Sequence, residues 1–91
     1  MLFRSKHVDA ARPGDPRVLT AIVYLNEKWD AARDGGELSI DVDGSARAAK
    51  LAPELDRLVV FWSRTAAHEV LPVSRDRYAL SMWFKVPRPL V

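Results

Sequence analysis

Four residues of this chain combine types and spacing that could do chemistry: His7, Asp9, His68 and Arg77. Side chains two apart on a strand project from one face, so His7 and Asp9 can converge on a single ion. His68 is the only other histidine. Two imidazoles and one carboxylate leave coordination positions open, and they form the facial triad of mononuclear non-haem Fe(II) sites. The chain has no cysteine, which excludes disulfides and thiolate sites and leaves imidazole and carboxylate as its natural ligands. A His-x-Asp tripeptide alone is a weak signal, and a strand histidine is more often structural than a ligand. Arg77, nine positions beyond His68, strengthens the reading. Its planar, permanently charged fork suits a carboxylate.

The elements that must position these residues read as β-strands. Residues 68–73 (HEVLPV) predict one strand, residues 74–76 a connection, and residues 77–84 (RYALSMWF) a second strand rich in aromatic and alternating apolar residues. The spacing predicts a hairpin, with a metal at its His68 end and a carboxylate at its Arg77 end. Ser81 and Trp83 alternate with Arg77 on one strand face. Ser81 is a candidate further donor to the carboxylate, and Trp83 a wall of the site or a core residue.

Residues 10–16 (AARPGDP) read as a loop after a His-x-Asp strand, and residues 17–26 (RVLTAIVYLN) as a core strand with Tyr24 inward. Residues 27–36 read as a loop with one turn of helix, Trp29 packed beneath it, and Gly35 and Gly36 supplying positive φ or a close approach. Residues 37–42 alternate, with Leu38 and Ile40 facing in. The Asp41, Asp43, Gly44 cluster lacks the other ligands of a calcium loop and reads as a solvated turn. A short strand is expected within residues 45–53, a turn at 54–57, and a buried strand over the apolar run 58–62 (LVVFW). Two prolines beyond residue 86 predict a frayed tail over 86–91. Strand-like runs separated by turns argue for an all-β barrel or sandwich.

Composition excludes several classes. Ninety-one residues bound one small domain, 1–91, burying roughly two-thirds of its unfolded surface. No apolar run approaches the roughly 20 residues of a membrane span, and the start MLFRSK lacks the apolar stretch of a signal peptide. A cytoplasmic location and no membrane partner follow as defaults. The 14 Lys and Arg are scattered among 12 Asp and Glu, with no basic stripe, so no nucleic-acid partner is expected.

The runs HVD, TAIVYLNEKWD, GGELSI, DRLVVFWS, HEVLPV and RYALSMWF cover nearly the whole chain, and through them it resembles the prolyl 4-hydroxylase branch of the Fe(II)/2-oxoglutarate dioxygenases. It is most similar to the hypoxia-sensing (HIF-type) prolyl hydroxylases. The resemblance implies a double-stranded β-helix, or jelly-roll. It implies iron held by His7, Asp9 and His68, with Arg77 and Tyr24 gripping the distal carboxylate of 2-oxoglutarate. The implied activity hydroxylates a protein or peptide, at proline, using O2 and decarboxylating 2-oxoglutarate to succinate, with ascorbate as an accessory reductant. The resemblance also implies helices and first strands ahead of His-x-Asp, where this chain has only six residues, and Arg4 stands where some members have a tyrosine. An upstream segment or partner chain completing the sheet is therefore expected, with the first ten residues frayed and metal binding weak without it. The alternative is a truncated, non-catalytic jelly-roll that serves as a binding module.

Overall fold

β-branched and aromatic residues fill the longer central strand runs, such as RVLTAIVY and LVVFW, and turn-forming residues punctuate the chain between them. The computed structural model describes residues 2–42 and 47–87. These form β1 (Leu2–His7), β2 (Arg17–Tyr24), α1 (Ala31–Asp34), β3 (Leu38–Asp41), β4 (Ala48–Leu51), β5 (Leu58–Trp62), β6 (His68–Val73) and β7 (Ala79–Lys85). One antiparallel sheet has the order β1-β6-β3-β4 and the other β5-β2-β7. The chain crosses repeatedly between the two, as in a jelly-roll. No helix among the described residues is long and apolar enough to cross a membrane.

The sheets meet over a small core in which Tyr24, Val59 and Phe61 of one pack with Leu38 and Ile40 of the other. Each such side chain contributes about 1.5–3 kcal/mol relative to exposure. Leu38 and Ile40 face in as their alternation predicts, and the Trp29 indole lies under the α1 turn, donating to the Gly35 carbonyl at 2.9 Å.

Several expectations need correction. β6 and β7 do not form a hairpin, because each crosses into a different sheet: β6 pairs with β1 and β3, and β7 with β2. Both are apolar strands of similar length, and the connection is long enough to change sheets rather than turn back. Asp9 is not on a strand, since β1 ends at His7 and the chain turns there. The first residues are also tied down, with β1 registered against β6 from Leu2↔Val73 to His7↔His68.

β5 is buried on one face only. Val59 and Phe61 point into the core, while Leu58, Val60 and Trp62 are exposed, Trp62 at 61%. Register places these three beside Val23, Ala21 and Leu19 of β2, which in turn oppose Leu80, Met82 and Phe84 of β7. The outer face of the three-stranded sheet is thus apolar throughout. Beyond β7, the Val86 amide still donates to Pro16 O at 3.0 Å, and residues 88–91 of the expected tail lie outside the described residues. So do residues 43–46, which hold Asp43 and Gly44.

Candidate active site

β1 and β6 bring their histidines into register, His7↔His68, with ring centroids 4.2 Å apart. The turn after β1 swings Asp9 over them. Asp9 Oδ1 lies 3.1 Å from His7 Nε2 and 3.2 Å from His68 Nε2. The ligand atoms of His7, Asp9 and His68 all fall within 4.8 Å of one another.

Hydrogen bonding orients both rings for this convergence. His7 Nδ1 sits 2.9 Å from Ser5 O and His68 Nδ1 sits 2.9 Å from Ala66 O. A carbonyl oxygen only accepts, so each Nδ1 carries the proton and donates. In the neutral imidazole this turns the Nε2 lone pair toward Asp9. Two lone pairs and a carboxylate oxygen then face one point with no donor among them, and a cation resolves that repulsion. The donor set therefore fits a divalent metal whose remaining positions stay open.

The second carboxylate oxygen of Asp9 is held separately. Thr20 Oγ1 donates to Asp9 Oδ2 at 2.8 Å and Trp83 Nε1 donates to it at 3.3 Å. Burial pushes the Asp9 carboxyl up, but the Thr20 and Trp83 hydrogen bonds, together with the positive charge of either imidazole when it is protonated, outweigh it and hold the group below the usual carboxylate range. Arg17 fixes the backbone, its Nη2 donating to Asp9 O at 2.6 Å while its guanidinium lies 5.5 Å from the Trp83 ring centroid. The same arginine pairs with Asp15, whose carboxyl is lowered to about 2 by the Arg17 hydrogen bonds. Phe61 packs on His68 with centroids 4.6 Å apart, walling the ring on the core side.

Arg77 lies in the connection before β7, not on a strand paired with β6. Its Nε donates to Gly36 O at 2.7 Å and its Nη2 lies 3.4 Å from the Tyr24 hydroxyl. Tyr24 is fully buried. Burial raises its phenol above the usual value against the opposing Arg77 charge, so the hydroxyl keeps its proton and can accept from Arg77 while donating elsewhere. Two motifs set this position. Gly36 is tied to β6 by its N–H, which donates to Pro72 O at 2.9 Å, and a Cβ on Gly35, at φ 68°, would strike that same Pro72 oxygen. Asn26 clamps the other side, its Oδ1 accepting from the Tyr78 amide at 2.7 Å and its Nδ2 donating to Tyr78 O at 2.9 Å.

The structure therefore brings together His7, Asp9 and His68, and separately Arg77 and Tyr24. Ser81 lies opposite Ile22 in the register, two residues from Trp83 on the face that carries Thr20 and Tyr24, and its hydroxyl has no protein partner among the described residues. Sequence reading missed Thr20, Arg17 and Asn26, and also Ser63, whose hydroxyl lies 2.8 Å from Thr20 Oγ1. Only alternation along β2, which puts Thr20, Ile22 and Tyr24 on one face, could have indicated Thr20.

Residues 3–85 match the family described as the 2OG-Fe(II) oxygenase superfamily. The chain is 46% identical over 80 residues to Egl nine homolog 1 of Rattus norvegicus, covering 87% of this chain and 23% of that protein. It is equally similar, 46% over 80 residues, to the hypoxia-inducible factor prolyl hydroxylase of Caenorhabditis elegans, of which it spans 11%. Among solved structures it resembles a Pseudomonas putida prolyl-4-hydroxylase, with a TM-score of 0.87 and 38% identity over 92% of this chain and 45% of that one. It also resembles a Trichoplax adhaerens prolyl hydroxylase solved with a hypoxia inducible factor peptide fragment, with a TM-score of 0.85 and 34% identity over 91% of this chain and 37% of that one. The chain thus spans less than half the length of each.

Proposed function

The chain belongs to the 2OG-Fe(II) oxygenase superfamily, and from that premise we propose that it carries the catalytic centre of a prolyl hydroxylase acting on a protein or peptide. The family implies Fe(II) and 2-oxoglutarate. His7, Asp9 and His68 are the metal ligands in this reading. Arg77 and Tyr24 receive the distal carboxylate of 2-oxoglutarate, and Ser81 offers a further donor. The metal and its cosubstrate supply the oxidation of a C–H bond by O2, coupled to loss of CO2 and formation of succinate. Ascorbate would keep the metal ferrous, and the reading takes the cytoplasm as the place of action.

The chain's own residues do the positioning. The Nδ1 hydrogen bonds to Ser5 O and Ala66 O keep both imidazoles in the ligating tautomer. Thr20 and Trp83 hold one oxygen of Asp9, leaving the other for the ion. A carboxylate buried beside Tyr24 would cost several kcal/mol unpaired, and the Arg77 fork is the countercharge within reach.

The observation that carries this reading is the convergence of three ligand atoms within 4.8 Å, with both distal ring nitrogens already satisfied. Anaerobic Mn(II) titration of the wild type and Asp9→Ala, with succinate measured on adding Fe(II) and 2-oxoglutarate, tests it. Binding and succinate should both disappear in the variant, and equal metal affinity would sink the triad. Domain boundaries of 1–91 belong to the same proposal, with a further strand, from an additional chain segment or a partner, completing the sheet. β1, the strand that carries His7, pairs only with β6 among the described residues, which leaves its other edge for such a segment. Amide exchange over residues 3–9 that slows, with succinate yield rising, when such a segment is supplied would support this, and strong protection with full turnover in the 91 residues alone would remove the need for it.

A further inference from the structure

A second cleft opens beside the metal centre, between the loop that follows Asp9 and the end of β7. It encloses about 670 Å³ and is lined by Arg12, Pro13, Asp15, Arg17, Trp83 and Lys85 among others. Asp15 is the only carboxylate in that lining, and Arg17 consumes it through Nη2–Oδ2 at 2.7 Å and Nε–Oδ1 at 3.1 Å. The Arg12 guanidinium and the Lys85 ammonium have no hydrogen-bond or ion-pair partner among the described residues. Arg64 adds a third cation at the rim, donating to Asp15 O at 3.2 Å.

The backbone segments that carry the two free cations are held in a fixed relation. The Asp15 amide donates to Arg12 O at 3.1 Å, closing the loop into a turn between Pro13 and Pro16. The Val86 amide donates to Pro16 O at 3.0 Å, fastening that turn to the strand end that carries Lys85. Trp83 joins the cleft to the metal centre, because its Nε1 bonds Asp9 while its ring lines the cleft beneath Arg17. An extended peptide advances about 3.3 Å per residue. Because Trp83 borders both, a peptide with its reacting residue at the triad can run on into the cleft and lay a neighbouring side chain against Arg12 and Lys85.

We propose that this cleft receives an aspartate or glutamate side chain of the peptide substrate, so that acidic residues flanking the reacting residue are selected. The inference rests on the reading of the chain as a peptide hydroxylase and names a feature of its substrates. Each exposed ion pair is weak, so two such pairs together give a preference of about tenfold at low salt. Screening over a Debye length of about 10 Å at 0.1 M should shrink it as salt rises.

The test uses fluorescein-labelled proline peptides carrying Asp or Glu, or the isosteric Asn or Gln, within four residues of the proline. Anisotropy reports their binding to the 91-residue chain with and without Mn(II). The acidic set should bind about tenfold tighter at low salt. Arg12→Ala and Lys85→Ala should each lower the preference, and Lys85→Glu should abolish it, with Mn(II) affinity and succinate formed without peptide unchanged. Equal affinity for acid and amide peptides, no binding of either, or a preference that survives both alanine variants would overturn the inference. Loss of Mn(II) binding or succinate tests the catalytic reading instead, so the two fail separately.

Discussion

Thr20→Val separates a positioning hydrogen bond from the fold around it. The Thr20 hydroxyl has one hydrogen and the Asp9 carboxylate only accepts, so Thr20 donates to Asp9 Oδ2 at 2.8 Å, and Ser63 Oγ, also 2.8 Å away, must donate to Thr20. Valine keeps the shape of this buried side chain and removes both links. A hydrogen bond to a charged acceptor is worth about 1.5–3 kcal/mol. The Trp83 bond at 3.3 Å remains, and loss of one outer partner of a metal ligand typically costs about 10–100-fold in affinity. Mn(II) affinity measured anaerobically by electron paramagnetic resonance should fall within that range. The variant also strands the Ser63 hydroxyl, at about 1–3 kcal/mol of stability read by urea unfolding. Adding Ser63→Ala should return much of that stability without returning metal affinity. Wild-type affinity in Thr20→Val, or affinity that recovers together with stability in the double variant, would refute the reasoning.

Arg77→Lys replaces a fork by a point charge and should weaken 2-oxoglutarate about tenfold or more with Mn(II) binding spared, read by isothermal titration of each; unfolding without selective loss of the cosubstrate would make Arg77 structural. Gly35→Ala forces a Cβ against the Pro72 carbonyl at a positive φ and should cost upwards of about 1 kcal/mol in urea unfolding, with a secondary loss of 2-oxoglutarate affinity because Gly36 anchors Arg77. Folding lowers the Asp15 carboxyl from 3.8 to about 2, so its contribution is complete above about pH 4 and is lost as pH falls toward 2. Thermal melts from pH 2 to 6 should show that decline, and Arg17→Gln should flatten it. An unchanged slope in the variant would show that the Asp15 pair does not couple to folding.

The two histidines were legible because their type is scarce, leaving one way to assemble two imidazoles, and Asp9 and Arg77 were legible through their spacing from them. Their positions were less legible. Both histidines were placed on strands, which the structure bears out, but Asp9 sits beyond the strand end and reaches the rings through a turn. Arg77 was paired with His68 through a hairpin because two apolar runs separated by three polar residues look alike whether the chain reverses or changes sheets. The positioning residues Ser63 and Asn26 follow no period. They are polar side chains that long-range contacts bury, Asn26 and Tyr78 being separated by 52 positions, and nothing local announces them.

The outer face of the β5-β2-β7 sheet shows where pattern reading stops for a different reason. An apolar run such as LVVFW fits a strand covered on both sides, and the covering layer is not written in the run itself. The structure divides it, with Val59 and Phe61 inward and Leu58, Val60 and Trp62 outward. Leu80, Met82 and Phe84 extend the outward set across β7, each more than 40% exposed. Exposed apolar patches on stable monomers are commonly about 300–600 Å², and six large side chains at this exposure reach or pass that range. The metal centre lies on the opposite face of the same strands, where Thr20, Tyr24 and Trp83 point inward. Whatever covers the outer face therefore bears on β2 and β7, the two strands that hold Asp9 Oδ2. Charge introduced at Val60 should disturb packing on that face, while Mn(II) affinity should follow only to the extent that β2 shifts.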